Sequence, residues 1–469
     1  VIAIPHCYSA LSMRKQAWVV VVAWLLGGAP AHAAASYAER VKETVLANGL
    51  KVLLLEDHKA PVAVFQVWYR VGSRNEQLGK TGLSHLLEHV MFKGTKTVGP
   101  EEYSKIIQRN GGNDNAFTGE DATTYFATLA SDRVSVVIDL EADRMHNLSF
   151  DEAVFTPELH VVMEERRLRT DNNPVAALFE VISSTAYEAH PYGWPIIGFM
   201  NDLRQATRED ALAYYRTYYT PGNAFVVCIG DFSSNDLMEK IDKAFSAVPA
   251  GEAPPRVRAV EPEQRGERRA VLRREAQLPF VAIGYHVPNL SDKDGAALEV
   301  LSAVLSGGES ARMHRHLVYE KRLARDAGAS YDLTTIDPSL FMLYAQPLPG
   351  KSAARVEKEL LAEVESVRTA AVSEHELTKA KNGLQAHFIF AQDSLFYQGL
   401  LLGQYETSAT WRDIDTYLPK VLAVTPEDVQ RVARLYLTAT NRTVGTLDPL
   451  PVAPGERLPA EGVPQGTVH

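Results

Sequence analysis

Cysteine is nearly missing from this chain, which holds only Cys7 and Cys228 in 469 residues. A fold stapled by several disulfides is therefore excluded. Basic charge is also scarce: 48 Lys and Arg face 58 Asp and Glu, a net charge of -10. Nucleic acid and anionic membranes both reward a cationic face, so neither is the expected partner. A run that could span a bilayer is absent too. The apolar stretch Ala17 to Leu26 has ten residues, about half the roughly 20 that a membrane helix needs. The glycine-rich "SGGES" (306 to 310) lacks the lysine of a phosphate loop and reads as a turn ending a helix.

That short apolar stretch is informative in its setting. Met13-Arg14-Lys15 precede it and the small-x-small triplet Ala31-His32-Ala33 follows it. This is the pattern of a cleavable export signal over residues 1–33, with 1–12 lying upstream of the start at Met13. No cysteine follows the cleavage triplet, which argues against lipid attachment. The mature chain would keep Cys228 alone, so it forms no internal disulfide, and the expected compartment is a bacterial periplasm.

At this length two or three domains are expected. "KETVLANGLKVLLLED" reads as a hairpin turning at Asn48-Gly49. "VAVFQVWYRVG" continues as strand, while "TGLSHLLEHVMF" and "PELHVVMEERRLRT" read as helices. Residues 247–269 are rich in Pro, Arg and Glu without periodicity, and read as a linker between domains at 36–246 and 270–450, with a tail at 451–469. Across it the chain repeats itself. Thr207, Glu209, Asp210, Tyr218, Thr220 and Asn223 recur as Thr425, Glu427, Asp428, Tyr436, Thr438 and Asn441, each 218 residues on. "VWYRVG" is echoed by "IGYHVP" (283 to 288). So long a period points to duplicated α+β domains, each with helices packed on a largely antiparallel sheet.

"HLLEH" (85 to 89) carries the chemistry. Histidines four apart share one helical face, and Glu88 lies over the same turn. Two imidazoles can grip zinc while the glutamate works on a bound water. A core pair of histidines would read the same way. A third ligand is offered by Glu158 or Glu165, seven apart on one helical face with Val161 and Val162 packing between them. Glutamates on a solvated face are the alternative. Tyr214, Tyr215, Tyr218 and Tyr219 read as packing, and His314 and His316 would diverge on a helix.

"RVGSRNEQLGKTGLSHLLEHVMFKGT" (70 to 95), "GGNDNAFTGEDATTYF" (111 to 126) and "VVMEERRLRTDNNP" (161 to 174) together resemble the pitrilysin family of zinc peptidases, the inverzincins. With the duplicated second half, the resemblance covers nearly the whole mature chain. It implies a duplicated pitrilysin-like fold and one zinc ion per chain, held by His85, His89 and Glu165. Glu165 lies 76 residues after His89, the spacing of the family's zinc glutamate. Glu88 is implied as general base and Glu158 as a supporting group near the metal. Asn115, Ala116 and Phe117 match an edge strand that pairs with extended peptide; the residues alone also fit an Asx-rich turn. The implied reaction is metal-assisted hydrolysis of short or unfolded peptides.

The second half departs from this pattern. Leu298, Leu301 and Ser302 stand opposite His85, Glu88 and His89, so no second zinc site is expected. The family's substrate-contacting arginine and tyrosine are replaced by Val318 and Arg325 in "LVYEKRLAR". Two expectations follow: the chain manages without that pair, or a homologous metal-free subunit supplies it. The second is favoured, giving a clamshell heterodimer in preference to a homodimer. A non-catalytic scaffold of the same fold is the alternative function.

Overall fold

The computed structural model describes residues 36–451. The export segment at 1–33 and the tail after Pro451 lie outside the described residues. Two sheets organise the molecule. The first contains β1 (Val41–Val45), β2 (Lys51–Glu56), β3 (Val62–Tyr69), β4 (Asn113–Thr118), β5 (Thr123–Ala130) and β6 (Ala224–Gly230), in the order β1-β2-β6-β3-β5-β4. The second contains β7 (Arg268–Glu275), β8 (Phe280–Val287), β9 (Ala324–Ser330), β10 (Ser339–Pro347) and β11 (Arg442–Leu450), in the order β7-β11-β8-β10-β9. The hairpin read at Asn48-Gly49 joins β1 to β2, with Val45 opposite Lys51.

The duplication is visible strand by strand. In each half one parallel pair, β2 with β6 or β7 with β11, is followed by three antiparallel pairings. Single atoms repeat as well. Asn223 Nδ2 donates to the carbonyls of Tyr218 (2.9 Å) and Arg70 (3.4 Å). Asn441 Nδ2 donates to those of Tyr436 (2.7 Å) and His286 (2.8 Å). Thr207 and Thr425 each open their helix with a capping box closed by Asp210 and Asp428. The recurring residues and the strand echo seen in the sequence are therefore one structural repeat. β7 opens at Arg268, inside the span read as linker.

The halves also exchange helices. Helix Pro174–Ala186, from before the linker, packs on β7, β8 and β11 of the second sheet. Helix Leu395–Ser408, from the second half, packs on β3 and β6 of the first. Both contacts depend on glycine. A Cβ at Gly403 would stand 2.0 Å from Trp68, and one at Gly445 would stand 2.3 Å from Ile182. One continuous core consequently joins Leu53, Trp68, Phe225 and Val227 to Leu402, Tyr405 and Trp411. Among the described residues no helix is long and apolar enough to cross a membrane.

Candidate metal centre

The helix Leu83–Val90 supports the site and is unusually well anchored. Its N-cap is Gly82, whose φ of 88° lies in the left-handed region and whose lack of a side chain leaves nothing to cap with. The buried Glu76 does that work from outside: one carboxylate oxygen accepts from Gly82 N and the other from Ser84 N, both at 2.7 Å. Burial pushes the Glu76 carboxyl up to about 8, against the pull of these two donors. Ser84 Oγ meets Tyr214 OH at 2.8 Å, so the tyrosine cluster reads correctly as packing that steadies this helix.

Along that helix His85 is 2% exposed and Glu88 1% exposed. His89 lies beside His85, with ring centroids 4.8 Å apart. The second supporting element is helix Glu152–Arg166, which continues as a π turn through Asp171. It packs on the histidine helix and brings Glu165 Oε2 to 3.6 Å from His85 Nε2 and 3.3 Å from His89 Nε2. One ligand atom from each of His85, His89 and Glu165 lies within 4.8 Å of the others. Glu158, two turns earlier on the same helical face, stands 3.7 Å from His89 Nδ1. Val162 is fully buried between the two glutamates, but Val161 is 49% exposed. The expectation that both valines pack there is corrected: at 3.6 residues per turn 161 and 162 flank the glutamate stripe on opposite sides, and the core, with Phe155 and Leu159, lies on the side of 162.

Four partners of the site were not singled out in the sequence: Glu76, Lys93, Thr118 and Arg169. Lys93 Nζ holds Glu158 Oε2 at 2.8 Å, and Arg169 Nε holds Glu165 Oε1 at 2.8 Å. Arg169 sits four residues after Glu165 on the same run of helix, a spacing that could have revealed that pair. Lys93 lies beyond the end of its helix and reaches Glu158 on another, which no local spacing shows. Thr118 Oγ1 donates to Glu88 Oε2 from β4, a long-range contact with no local signal. Burial pushes the Glu88 carboxyl up to about 7, opposed by the Thr118 hydroxyl and the charge of His89. For His89 burial works against the proton, yet Glu158, Glu165 and Glu88 together raise its pKa to about 9.

β4 closes the first sheet, and among the described residues no strand pairs with its outer side. Asn115 and Ala116 sit within it opposite Phe126 and Tyr125, so the segment is a strand and not an Asx turn. Ala116 N–H donates to Asn115 Oδ1 at 2.9 Å. Phe117 packs edge-on against Trp68 with centroids 5.7 Å apart. In the second half Leu298 and Leu301 are buried in the core, and His314 and His316 turn to different partners, Glu309 O and Glu363 Oε1. Val318 is half-buried and Arg325 exposed.

Comparison with known proteins accords with this arrangement. The model for insulinase (peptidase family M16) matches residues 51–199, and that for the peptidase M16 inactive domain matches 205–384. Zinc protease PqqE of Helicobacter pylori is 36% identical over 426 residues, covering 90% of this chain and 96% of that protein. The chain belongs to peptidase family M16. The solved structure of a protease from H. pylori superposes with a TM-score of 0.85 at 36% identity, covering 87% of this chain and 100% of that one. The periplasmic protease PqqL of Escherichia coli, at 16% identity and a TM-score of 0.72, shares the fold; the alignment covers 92% of this chain and 51% of that one. The M16 inactive-domain match covers the part of the second half where Leu298, Leu301 and Ser302 replace the metal motif.

Proposed function

We propose that this chain is a zinc endopeptidase that hydrolyses short or unfolded peptides. The observation that carries the reading is the convergence of His85, His89 and Glu165 with Glu88 on the intervening turn. Two imidazole nitrogens and one carboxylate oxygen are the donor set of a catalytic zinc site with a position left open. When bound there, zinc supplies Lewis-acid polarisation of a carbonyl and a water made more acidic.

The chain's own residues do the rest. Arg169 engages Glu165 Oε1 and leaves Oε2 facing the histidines. Glu158 faces His89 Nδ1, which directs Nε2 toward the metal position. Glu88 acts as general base and then as general acid: Thr118 fixes one of its oxygens, and the other takes a proton from water and passes it to the leaving amine. The open side of β4 receives an extended peptide, which displaces the local bond between Ala116 and Asn115 and pairs along Asn115, Ala116 and Phe117. Backbone pairing of this kind reads side chains loosely.

Export to a periplasm by residues 1–33 and pairing with a homologous metal-free subunit complete the reading. Val318 and Arg325, where an arginine and a tyrosine are expected, motivate the partner. The test is Glu88→Gln. The variant keeps zinc stoichiometry, while peptide hydrolysis falls by about 10²- to 10⁴-fold. Wild-type protein that takes up no zinc, or equal hydrolysis by the two proteins, overturns the assignment.

A further inference from the structure

The second half has a cavity lined in part by Val318 and Arg325, which replace the family's substrate-contacting pair, and no step of the chemistry proposed above uses it. It occupies 380 Å³ at the corner where the π turn His314–Glu320 leads into β9, a size in the range of small-ligand pockets, roughly 300–1,000 Å³. Its polar lining comes from His314, Tyr319, Arg322 and Arg325, and its apolar lining from Val318, Ala324 and Leu348. No carboxylate lines it. Of the acids nearby, Glu320 pairs with Arg315, Glu359 with Lys321 and Arg355, and Glu363 with His316. Asp326 follows Arg325 on β9, where successive side chains point to opposite faces. Arg322 and Arg325 make no ion pair or hydrogen bond among the described residues, and Tyr319 is 76% exposed with its hydroxyl equally uncommitted. Arg322 also adopts φ 49°, one of two non-glycine residues in the left-handed region among the described residues. A bulky cationic side chain is thus held in a backbone conformation better suited to glycine.

Two guanidinium groups and a phenol beside an apolar floor have a specific complement. Planar guanidinium forks match a carboxylate bidentately, which a single ammonium does not. The apolar wall formed by Val318, Ala324 and Leu348 suits an aliphatic side chain attached next to that carboxylate. Both features occur together at the last residue of a peptide. We propose that this cavity binds the C-terminal carboxylate of a peptide ending in an apolar residue, with Arg322, Arg325 and Tyr319 as its donors. The inference rests on the peptide-processing reading above. It adds a preference for free, apolar C-termini that the metal centre does not itself impose.

Fluorescence anisotropy with the full-length Glu88→Gln protein, which binds peptide without turning it over, tests this directly. The probe is an N-terminally labelled decapeptide ending in leucine. Its partners are the same peptide amidated at the C-terminus and an amidated version ending in glutamate. The free acid binds about 10- to 100-fold tighter than the amide, the range of charge-assisted hydrogen bonds. Arg322→Ser with Arg325→Ser removes this difference, and Tyr319→Phe reduces it. All three residues are largely exposed, so the variants fold, which circular dichroism verifies. Equal binding of acid and amide overturns the proposal, as does discrimination that survives the double substitution. Full affinity for the glutamate-terminated amide overturns the assignment to the chain terminus. Repeating the titration with chelator separates this site from the metal centre: discrimination that persists without zinc stands even if the peptidase reading fails.

Discussion

Little separates Glu165, proposed as a ligand, from Glu158, proposed as its support. They share one helical face, and both approach His89, yet they meet different nitrogens: Glu165 faces Nε2 at 3.3 Å and Glu158 faces Nδ1 at 3.7 Å. A carboxylate beside Nδ1 fixes the ring's tautomer and orientation and raises its basicity as a ligand. Glu158→Gln removes that charge but keeps the shape, so zinc affinity measured by chelator competition falls by about 10- to 100-fold, the usual effect of losing such a partner. Glu165→Gln removes a ligand and abolishes stoichiometric uptake. If the two variants lose zinc equally, the division of roles fails. Much of this centre was legible in the sequence, because histidines four apart on a helix must share a face. The choice of Glu165 over Glu158 came from spacing in relatives, since both lie on the same helical stripe. Thr118 was not legible, because folding alone brings β4 beside Glu88. Glu76 was not legible either. Its role depends on two backbone N–H groups, and a sequence does not display which amides lack partners.

The elements themselves were read well where turn residues or runs of β-branched and apolar residues mark them. The hairpin at Asn48-Gly49, strand β3 and the histidine helix all lie where patterning placed them. The destination of each buried face is another matter. Apolar periodicity announces that helix Leu395–Ser408 is buried, but not that it crosses to the first sheet. The glycines record that crossing. Gly403 lies against the ring of Trp68, itself stacked on Phe225 and hydrogen-bonded through Nε1 to Gln66. Gly403→Ala would gain about 1 kcal/mol in helix propensity. Against this, the methyl group must displace a fully packed indole, an overpacking cost of about 1–3 kcal/mol or more. A lower urea midpoint is expected. Gly383, also inside a helix, has nothing within 4 Å of its would-be Cβ, so Gly383→Ala holds or raises the midpoint. Opposite shifts from one substitution type would establish the close approach; equal shifts would refute it.

At the scale of the whole molecule, the exchanged helices decide whether the halves are separable. The linker-like composition of residues 247–269 suggests two units joined by a tether, and the topologies of the two sheets support a duplication. The core does not divide there. Leu53, Leu55, Trp68, Phe225 and Val227 are covered from the second half by Leu402, Tyr405 and Trp411. Polar contacts cross as well: Glu406 holds Arg70 at 2.7 Å and Lys51 at 2.6 Å, and Asp415 accepts from Tyr37 N at 2.8 Å. A fragment ending at residue 266 would keep the whole metal centre yet expose the apolar face that helix Leu395–Ser408 covers. Sheets with a bare apolar face associate or aggregate. The fragment is therefore expected to aggregate, while residues 36–451 unfold in a single cooperative transition seen alike by tryptophan fluorescence and far-UV circular dichroism. A soluble fragment with wild-type zinc affinity would show that the exchanged helices contribute little. The proposed partner is tested on the same scale, since the proposed clamshell needs a second two-domain chain. Gel filtration of the isolated chain alone and with a homologous metal-free subunit should show a 1:1 complex, with peptide hydrolysis rising on mixing. Full activity in a monomer would mean that the absence of an arginine at Val318 and a tyrosine at Arg325 is compensated within the chain itself.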